Sequence, residues 1–238
     1  MRPGLFVAAA ALLVLGAPSA RAGADPTAAE VATRQHRQAL NEIAVDLQQR
    51  KLAEAVAKAD ALIAEFDAAY AGDKRRIYCA RDSAETLAYM LIAASDGQSA
   101  IALDATWSTA LFLKGFALID LHRSDEAGPS LERAVALSPS NAQFLAELGE
   151  WHKSRRRWDA AFAHFERAAD ASAFSPEAAK AFDKGRALRG MGFVLIELGK
   201  LDEAERRFHE ALELNPNDAG AKGELDYIAT QRGRLPRT

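Results

Sequence analysis

The sequence of 238 residues lacks the features that build disulfide scaffolds and metal sites. It contains one cysteine, Cys79, so no disulfide can form within the chain. Neither C-x-x-C nor H-x-x-x-H occurs in it, and these are common ligand spacings of zinc sites. We therefore expect no bound metal and no cofactor.

Proline and glycine are also scarce, with 8 and 15 residues, whereas alanine occurs 53 times. Proline interrupts helices, and alanine has the highest helix propensity because its side chain loses no rotamer freedom. Aromatic residues make up 8% and charged residues 26%, fractions that are typical of folded domains. The composition predicts an all-α protein of ordinary domain size.

The chain has no excess of positive charge and no long apolar segment. Its 30 lysines and arginines are outnumbered by 33 acidic residues, whereas a nucleic-acid-binding domain usually carries a basic excess. The apolar stretch at residues 5–16 is shorter than the roughly 20 residues that a membrane-spanning helix needs. We expect no nucleic-acid partner and no stable membrane span.

Residues 1–22 have the pattern of a secretory signal peptide. Arg2 precedes the apolar stretch, and residues 20–22 (A-R-A) form an A-x-A cleavage site. Cleavage would begin the mature protein at Gly23 and, by removing two arginines, change the formal charge from −3 to −5. Together with the abundance of alanine and arginine, this predicts an exported bacterial protein, most simply a periplasmic one.

Internal repeats are the clearest feature of the sequence. Four segments share a polar turn, an acidic or small first helical turn and an alanine: QRKLAEA (49–55), HRSDEA (122–127), RRRWDAA (155–161) and LGKLDEA (198–204). The alanines of the last three are spaced by 34 and 43 residues, so the second spacing is 34 plus an insertion of nine. A fixed period of this length indicates stacked helical hairpins.

The residues around each alanine keep the same register. In each repeat a glycine precedes the alanine, and a bulky residue, a small residue and a position that is usually proline follow it. The three sets, in this order, are Gly115, Ala127, Leu131, Ala134 and Pro139; Gly149, Ala161, Phe165, Ala168 and Ala173; Gly192, Ala204, Phe208, Ala211 and Pro216. The small residues would let two antiparallel helices approach closely, and the bulky residue would fill the gap beside them. One such hairpin cannot bury its apolar face alone, so several must stack.

This pattern resembles the tetratricopeptide repeat, a family of helical-hairpin repeats. The resemblance implies a solenoid with a right-handed superhelix and three repeats at about 108–141, 142–175 and 176–216. Two positions depart from the family pattern: Ala173 replaces a proline, and Lys114 stands where a leucine is usual. The resemblance is weak before residue 106.

The flanking segments are expected to be helical too. Residues 23–105 are interpreted as divergent hairpins, with a hairpin at 28–70, then a helix broken at Asp96-Gly97 and a short helix. Residues 217–238 are expected to form a capping helix and a tail. The insertion should lengthen the first helix of the last repeat to about 176–198, and Pro129 should bend the first turn of its helix.

Local motifs predict where three helices begin. Thr27 with Glu30 and Ser140 with Gln143 have the spacing of capping boxes. Ser175-Pro176 would place a cap before a proline at the first helical position.

The resemblance also implies a binding groove lined by the first helices of successive repeats. Carried over residue by residue, the lining is Thr109, Phe112, Phe116 and Ile119; Gln143, Ala146, Glu147, Glu150 and Lys153; Arg186, Arg189, Phe193 and Ile196. Phe112 and Phe116 occupy sites where some family members hold a peptide's carboxylates, so that clamp is not formed. The three phenylalanines could instead belong to the core. Arg186 and Arg189 could bind an acidic segment, because guanidinium groups suit carboxylates.

The implied function is a non-catalytic protein-interaction or scaffold module of the bacterial envelope, with a protein or peptide partner. Two alternatives stay open: a thiol-dependent or hydrolytic enzyme that uses Cys79, and a structural homo-oligomer. Cys79 has no recognisable partner histidine in the sequence and is more simply a small buried residue on a helix. His152 is expected to pack between paired helices and His164 to lie at the surface. The basic run at 155–157 is either solvated or a second contact surface.

Overall fold

The computed structural model describes residues 27–234, so the predicted signal peptide and the last four residues lie outside it. Its helices are α1 (Ala28–Gln48), α2 (Leu52–Tyr70), α3 (Ser83–Ser95), α4 (Thr106–Asp120), α5 (Ser124–Leu137), α6 (Ala142–Ser154), α7 (Trp158–Ala171), α8 (Glu177–Glu197), α9 (Leu201–Leu214) and α10 (Ala219–Arg234). Two strands, β1 (Arg76–Ala80) and β2 (Ala100–Asp104), flank α3, and a 3-10 turn (Ser172–Phe174) precedes α8. Among the described residues, no helix is both long and apolar enough to cross a membrane.

The helices pair as hairpins and stack into a solenoid, as the repeat pattern predicts. The hairpins are α1–α2, α4–α5, α6–α7 and α8–α9, and α10 packs on the last of them. Helices α1 and α2 pack against each other, as expected for a hairpin at 28–70, and α2 buries an apolar stripe: Ala55, Val56, Ala59, Leu62, Ile63 and Phe66. Helix α8 has 21 residues because the insertion extends its first turns, as expected. Helix α5 continues through Pro129.

Close approach at three glycines holds each repeat hairpin together. A Cβ built at Gly115 would lie 2.7 Å from Leu131, at Gly149 2.9 Å from Phe165, and at Gly192 2.6 Å from Phe208. Each bulky side chain is fully buried against the glycine of its own hairpin. The small and the bulky residues that recur in the repeats therefore contact each other between the two helices of one hairpin.

Residues 76–104 differ from the expected helices. They form a β1–α3–β2 unit in which the two strands pair in parallel, with Cys79 opposite Leu103. Parallel strands need a crossover connection, and α3 provides it. The prediction of a helix broken at Asp96-Gly97 was therefore wrong for its first part, since IYCA is a strand, and the short helix expected after Gly97 is strand β2. Gly97, which follows α3, has a φ of 66° and turns the chain back toward β2.

Buried polar contacts fix the β1–α3–β2 unit to the repeats. The Ser138 hydroxyl donates to the Cys79 carbonyl oxygen at 2.7 Å, and the backbone N–H of Ser140 donates to the Tyr89 hydroxyl at 3.3 Å. At the end of β1, Arg81 forms an ion pair with the buried Glu85 and also donates to the Phe174 carbonyl oxygen. The unit thus contacts the loops that precede both α6 and α8.

The predicted helix starts are partly correct. Thr27 and Glu30 form both hydrogen bonds of a capping box, which confirms the first motif. The second motif was wrong because Asn141, not Ser140, caps α6 by accepting from the N–H groups of Gln143 and Phe144. Ser175 does not cap α8, because its hydroxyl donates to Asp183 instead.

Candidate functional site

The first helices of the repeats share one continuous surface, which we call the first-helix face. It is formed by α4, α6, α8 and α10 and is linked from helix to helix by side-chain contacts described below. Phe116 and Phe193 on this face are half-buried, and Gln143 is exposed. The curvature of stacked helical repeats makes such a face an extended concave surface.

Phe112 does not line this surface. Its side chain is 6% exposed and stacks on the ring of Phe144 from α6, with the ring centroids 4.7 Å apart. Its expected place in the groove was therefore wrong, because the first turns of α4 and α6 lie close enough for the two rings to fill the space between them. Phe112 belongs to the core that joins successive hairpins.

Both predicted arginines already have carboxylate partners. Arg186 on α8 donates to Glu147 on α6 at 2.6 Å, and Arg189 forms an ion pair with Asp218, the residue before α10. Glu147 and Asp218 are both buried, and a buried carboxylate needs such a partner. The charges of both arginines are therefore neutralised within the chain, and their use to hold an acidic segment stays a prediction.

Lys153 connects α6 to α8 through an aromatic ring. Its ammonium group lies 2.5 Å from Glu150 and 4.6 Å from the centroid of the Phe193 ring. A cation above an aromatic face is attracted by the electrons of the ring. The exposed side of Phe193 is therefore a surface that already holds one cation.

Glu197 at the end of α8 and Glu224 on α10 form no ion pair within the described residues. Partial burial raises the pKa of the Glu224 carboxyl above its ordinary value, an effect that Lys153 opposes and Glu197 adds to. Glu224 therefore lies under the influence of both a cation and a second carboxylate.

Two family models match the chain, both described as tetratricopeptide repeat. One covers residues 108–141 and the other residues 185–218. Each span contains one α-hairpin of the solenoid, namely α4–α5 and α8–α9. The chain therefore contains two segments that match the tetratricopeptide repeat, each at a hairpin of the solenoid. No curated sequence relative matches it.

Solved structures resemble this chain over most of its length. The pilF structure of Pseudomonas aeruginosa gives a TM-score of 0.59 at 14% identity, covering 84% of this chain and 70% of that one. The MamA RS-1 structure gives a TM-score of 0.55 at 14% identity and covers 84% of this chain and 85% of that one. The MamA MSR-1 structure gives a TM-score of 0.52 at 18% identity and covers 84% of this chain and 87% of that one. At these identities the likeness concerns the fold.

The other residues predicted to line the groove differ in how deeply they are buried. Thr109, Ile119, Glu150, Lys153 and Ile196 are half-buried, whereas Ala146 is buried. The prediction missed two exposed aromatic residues. Phe182 lies one turn before Arg186 on the extended part of α8, and Tyr227 lies one turn after Glu224 on α10. Extending the repeat register into the insertion and the capping helix would have found both.

Cys79 is buried on β1 rather than on a helix. Burial raises the pKa of its thiol to about 12, although hydrogen bonding with Ser108 opposes this. The thiolate is the nucleophilic form of cysteine, so a thiol held this far above neutral pH is a poor nucleophile. In the part of the chain that the structure describes, no three His, Cys, Asp or Glu side chains are grouped to hold a metal ion.

The basic run at 155–157 has a structural role. The guanidinium groups of Arg155 and Arg157 lie 4.8 Å and 5.2 Å from the centroid of the Trp151 ring, and Arg155 also pairs with Asp125. Arg156 adopts a φ of 56° in the turn between α6 and α7. Two of the three arginines therefore pack around a buried tryptophan.

His152 and His164 form a stacked pair on α6 and α7. Their rings are nearly parallel, with centroids 5.1 Å apart, and the Nδ1 atom of each is buried without a hydrogen-bond partner among the described residues. Burial and the neighbouring His152 lower the pKa of His164 to about 4. Burial also lowers the pKa of His152, with Arg157 adding to the effect and Glu132 opposing it. His164 is thus packed against a partner rather than placed freely at the surface.

We expect this pair to make the protein sensitive to acid. The folded state keeps His164 neutral down to about pH 4, whereas in the unfolded chain it takes up a proton near pH 6.5. The stability that it contributes is therefore complete above pH 6.5 and is lost as the pH falls toward 4. In thermal unfolding between pH 7 and pH 4.5, His164→Phe, which keeps a ring but cannot titrate, should show a smaller fall in Tm than the parent chain. An equal fall in the two proteins would contradict the expectation.

Proposed function

We propose that this protein is a non-catalytic interaction module that binds a peptide or protein segment on its first-helix face. The observation that carries the proposal is the continuous surface of α4, α6, α8 and α10, on which Phe116 and Phe193 are half-buried and Tyr227 is exposed. Aromatic side chains are the groups that most often carry binding energy at protein interfaces. Curved repeat surfaces are used in this way by other repeat proteins.

The test is capture of a partner by the full-length protein and by variants. Phe116→Ala with Phe193→Ala should weaken capture at least about tenfold, because truncating an aromatic hot spot typically costs about 2 kcal/mol or more. Circular dichroism must show that the double variant keeps its helices. Undiminished capture by the folded double variant would show that the first-helix face is not the binding surface.

Helix α3 offers the matched control. Leu87 and Leu91 are each 61% exposed and lie one turn apart on its outer side, and no charged residue occurs at residues 86–95. Leu87→Ser with Leu91→Ser removes exposed apolar area elsewhere on the molecule. If that pair abolishes capture while the phenylalanine pair does not, α3 carries the partner. If it also changes how the molecular mass varies with concentration, the homo-oligomer alternative gains support.

The proposed location is the bacterial envelope, reached through export. Support comes from the signal-peptide pattern of residues 1–22. In this proposal the protein assists the assembly of other envelope proteins from the periplasm. N-terminal sequencing of protein recovered from the periplasm should begin at Gly23, and a product that retains residues 1–22 would contradict the proposal.

A further inference from the structure

Strand β2 is the outer strand of the β1–α3–β2 unit. Helices α4 and α5 contact β1, and residues 78–80 of β1 are buried, whereas residues 100–103 of β2 are half-buried. One face of the sheet packs on α3, and Ile77 and Leu103 on the other face pack against the core of the solenoid. In the part of the chain that the structure describes, both faces are therefore covered and the edge of β2 stays open.

The backbone of β2 uses its hydrogen-bonding groups on one side only. The Arg76 N–H donates to the Ser99 carbonyl oxygen at 2.8 Å, so Ser99 faces β1. Successive residues of a strand direct their N–H and C=O groups to opposite edges, so the odd-numbered residues 99–103 face β1 and the even-numbered residues 100–104 face away from it. Between residues 27 and 234, no hydrogen bond reaches the outward N–H and C=O groups of these even-numbered residues.

The edge of β2 also lacks the features that usually protect an edge strand. On the outer edge of β1, the Cys79 carbonyl oxygen accepts the hydrogen bond from Ser138. Native edge strands are commonly blocked by lysine, proline or a bulge, but β2 (AIALD) contains no lysine or proline and pairs with β1 without a bulge. Sheets most often contain about four to six strands, so this sheet of two is small. A further strand can therefore pair with β2.

We infer that a second copy of this chain pairs with the β2 edge, antiparallel about a two-fold axis, and joins the two small sheets into one sheet of four strands. With the axis at Ala102, Ala102 pairs with its own copy and Ala100 pairs with Asp104 of the second copy, so every outward group is used. The two Asp104 carboxylates then lie at opposite ends of the pairing and do not meet. A two-fold contact of one patch with itself is the commonest form of protein dimer.

Helix α3 favours a second copy over an unrelated strand. Since α3 contacts both strands, the joined sheet would place the two copies of α3 on one face, two strand spacings or about 10 Å apart. Helices pack against each other at this distance. Residues 86–95 carry no charge, and Leu87 and Leu91 are each 61% exposed, so two copies of α3 approach without repulsion of like charges. An extended peptide alone would leave this apolar surface uncovered.

The test measures self-association of the full chain and hydrogen exchange of its amides. Sedimentation velocity between about 1 μM and about 1 mM should show a change from one copy to two as the concentration rises. The outward amides of Ala100, Ala102 and Asp104 should exchange at least about tenfold more slowly in the dimer, because each gains an acceptor. The amides of Ile101 and Leu103, which already face β1, should slow much less.

Two proline variants locate the contact. Ala102→Pro removes an outward N–H but no hydrogen bond to β1, and it should weaken self-association at least about tenfold, since both copies lose a donor. Ala84→Pro is the matched control, because its N–H also lacks a partner in the chain and the first turn of a helix tolerates proline. This control should leave self-association within about twofold.

The inference does not rest on the proposed function, because the β2 edge and the first-helix face are different surfaces. A chain that stays single up to about 1 mM overturns it, and so do equal effects of the two prolines. If Ala102→Pro does not fold, the parent chain decides: unchanged exchange at residues 100–104 while the mass doubles places the contact elsewhere. A synthetic peptide SAIALD that slows these amides while the chain stays single would show that the edge accepts an extended peptide and that the second copy is wrong.

Discussion

Replacing Phe165 with alanine should lower the free energy of unfolding by about 3–5 kcal/mol, the usual range for removing a fully buried phenylalanine. Its ring is fully buried and lies between two hairpins, against Gly149 of α6 and Gly190 of α8. Because both of these neighbours are glycines, neither has a side chain to fill the space that the ring leaves. The cavity should therefore persist, and the loss should lie toward the upper end of that range.

Chemical denaturation checks this value, and Phe182→Ala is the matched control. Phe182 is 63% exposed on α8, so its removal should change the stability by no more than about 0.5 kcal/mol. We also expect a shallower transition for Phe165→Ala, because the contact between hairpins is what makes stacked repeats unfold together. Similar losses for the two variants would show that Phe165 does not join the hairpins.

Replacing Gly192 with leucine should destabilise the last hairpin by about 1–3 kcal/mol, as overpacking of a filled core usually does. A Cβ at this position would lie 2.6 Å from the Phe208 ring, which is fully buried and cannot swing away. Even alanine should be unfavourable here, although alanine is otherwise a better helix former than glycine by about 1 kcal/mol.

The control for this change is Gly223 on α10. Nothing lies within 4 Å of a Cβ built there, so Gly223→Leu keeps the gain in helix propensity and meets no neighbour. The melting temperature should fall for Gly192→Leu and rise or stay constant for Gly223→Leu. An unchanged melting temperature for Gly192→Leu would mean that the repeat register is incorrect.

The prediction of the groove shows which features of the surface the repeat register can predict and which it cannot. It placed Phe116, Glu150, Lys153 and Phe193 on the half-buried part of the first-helix face, since helical spacing alone fixes which side of a helix a residue occupies. It failed for Phe112, because burial there depends on how closely α4 approaches Phe144 of the next hairpin. The repeat register predicts on which side of a helix a residue lies, but it does not predict how closely that helix approaches the next hairpin.

The ion pairs of the two arginines were missed for a related reason. Arg186 and Arg189 have the residue type that holds carboxylates, and the structure confirms that each holds one. Their partners are 39 and 29 residues away along the chain and come from α6 and from the turn before α10. Sequence spacing within one helix contains no information on pairs of this kind, so the two internal ion pairs were not predicted.

The sequence by itself determined the helical-hairpin solenoid, because the alternation of glycine, alanine and bulky residues repeats at a fixed period and each hairpin needs its neighbour to bury that pattern. Only the tertiary structure decided that IYCA and AIAL are paired strands. Short apolar segments suit a strand or a buried helix equally, and the choice depends on a partner strand more than 20 residues away along the chain. It also decided which carboxylates Arg186 and Arg189 hold, because Glu147 lies on another helix and Asp218 in the turn before α10.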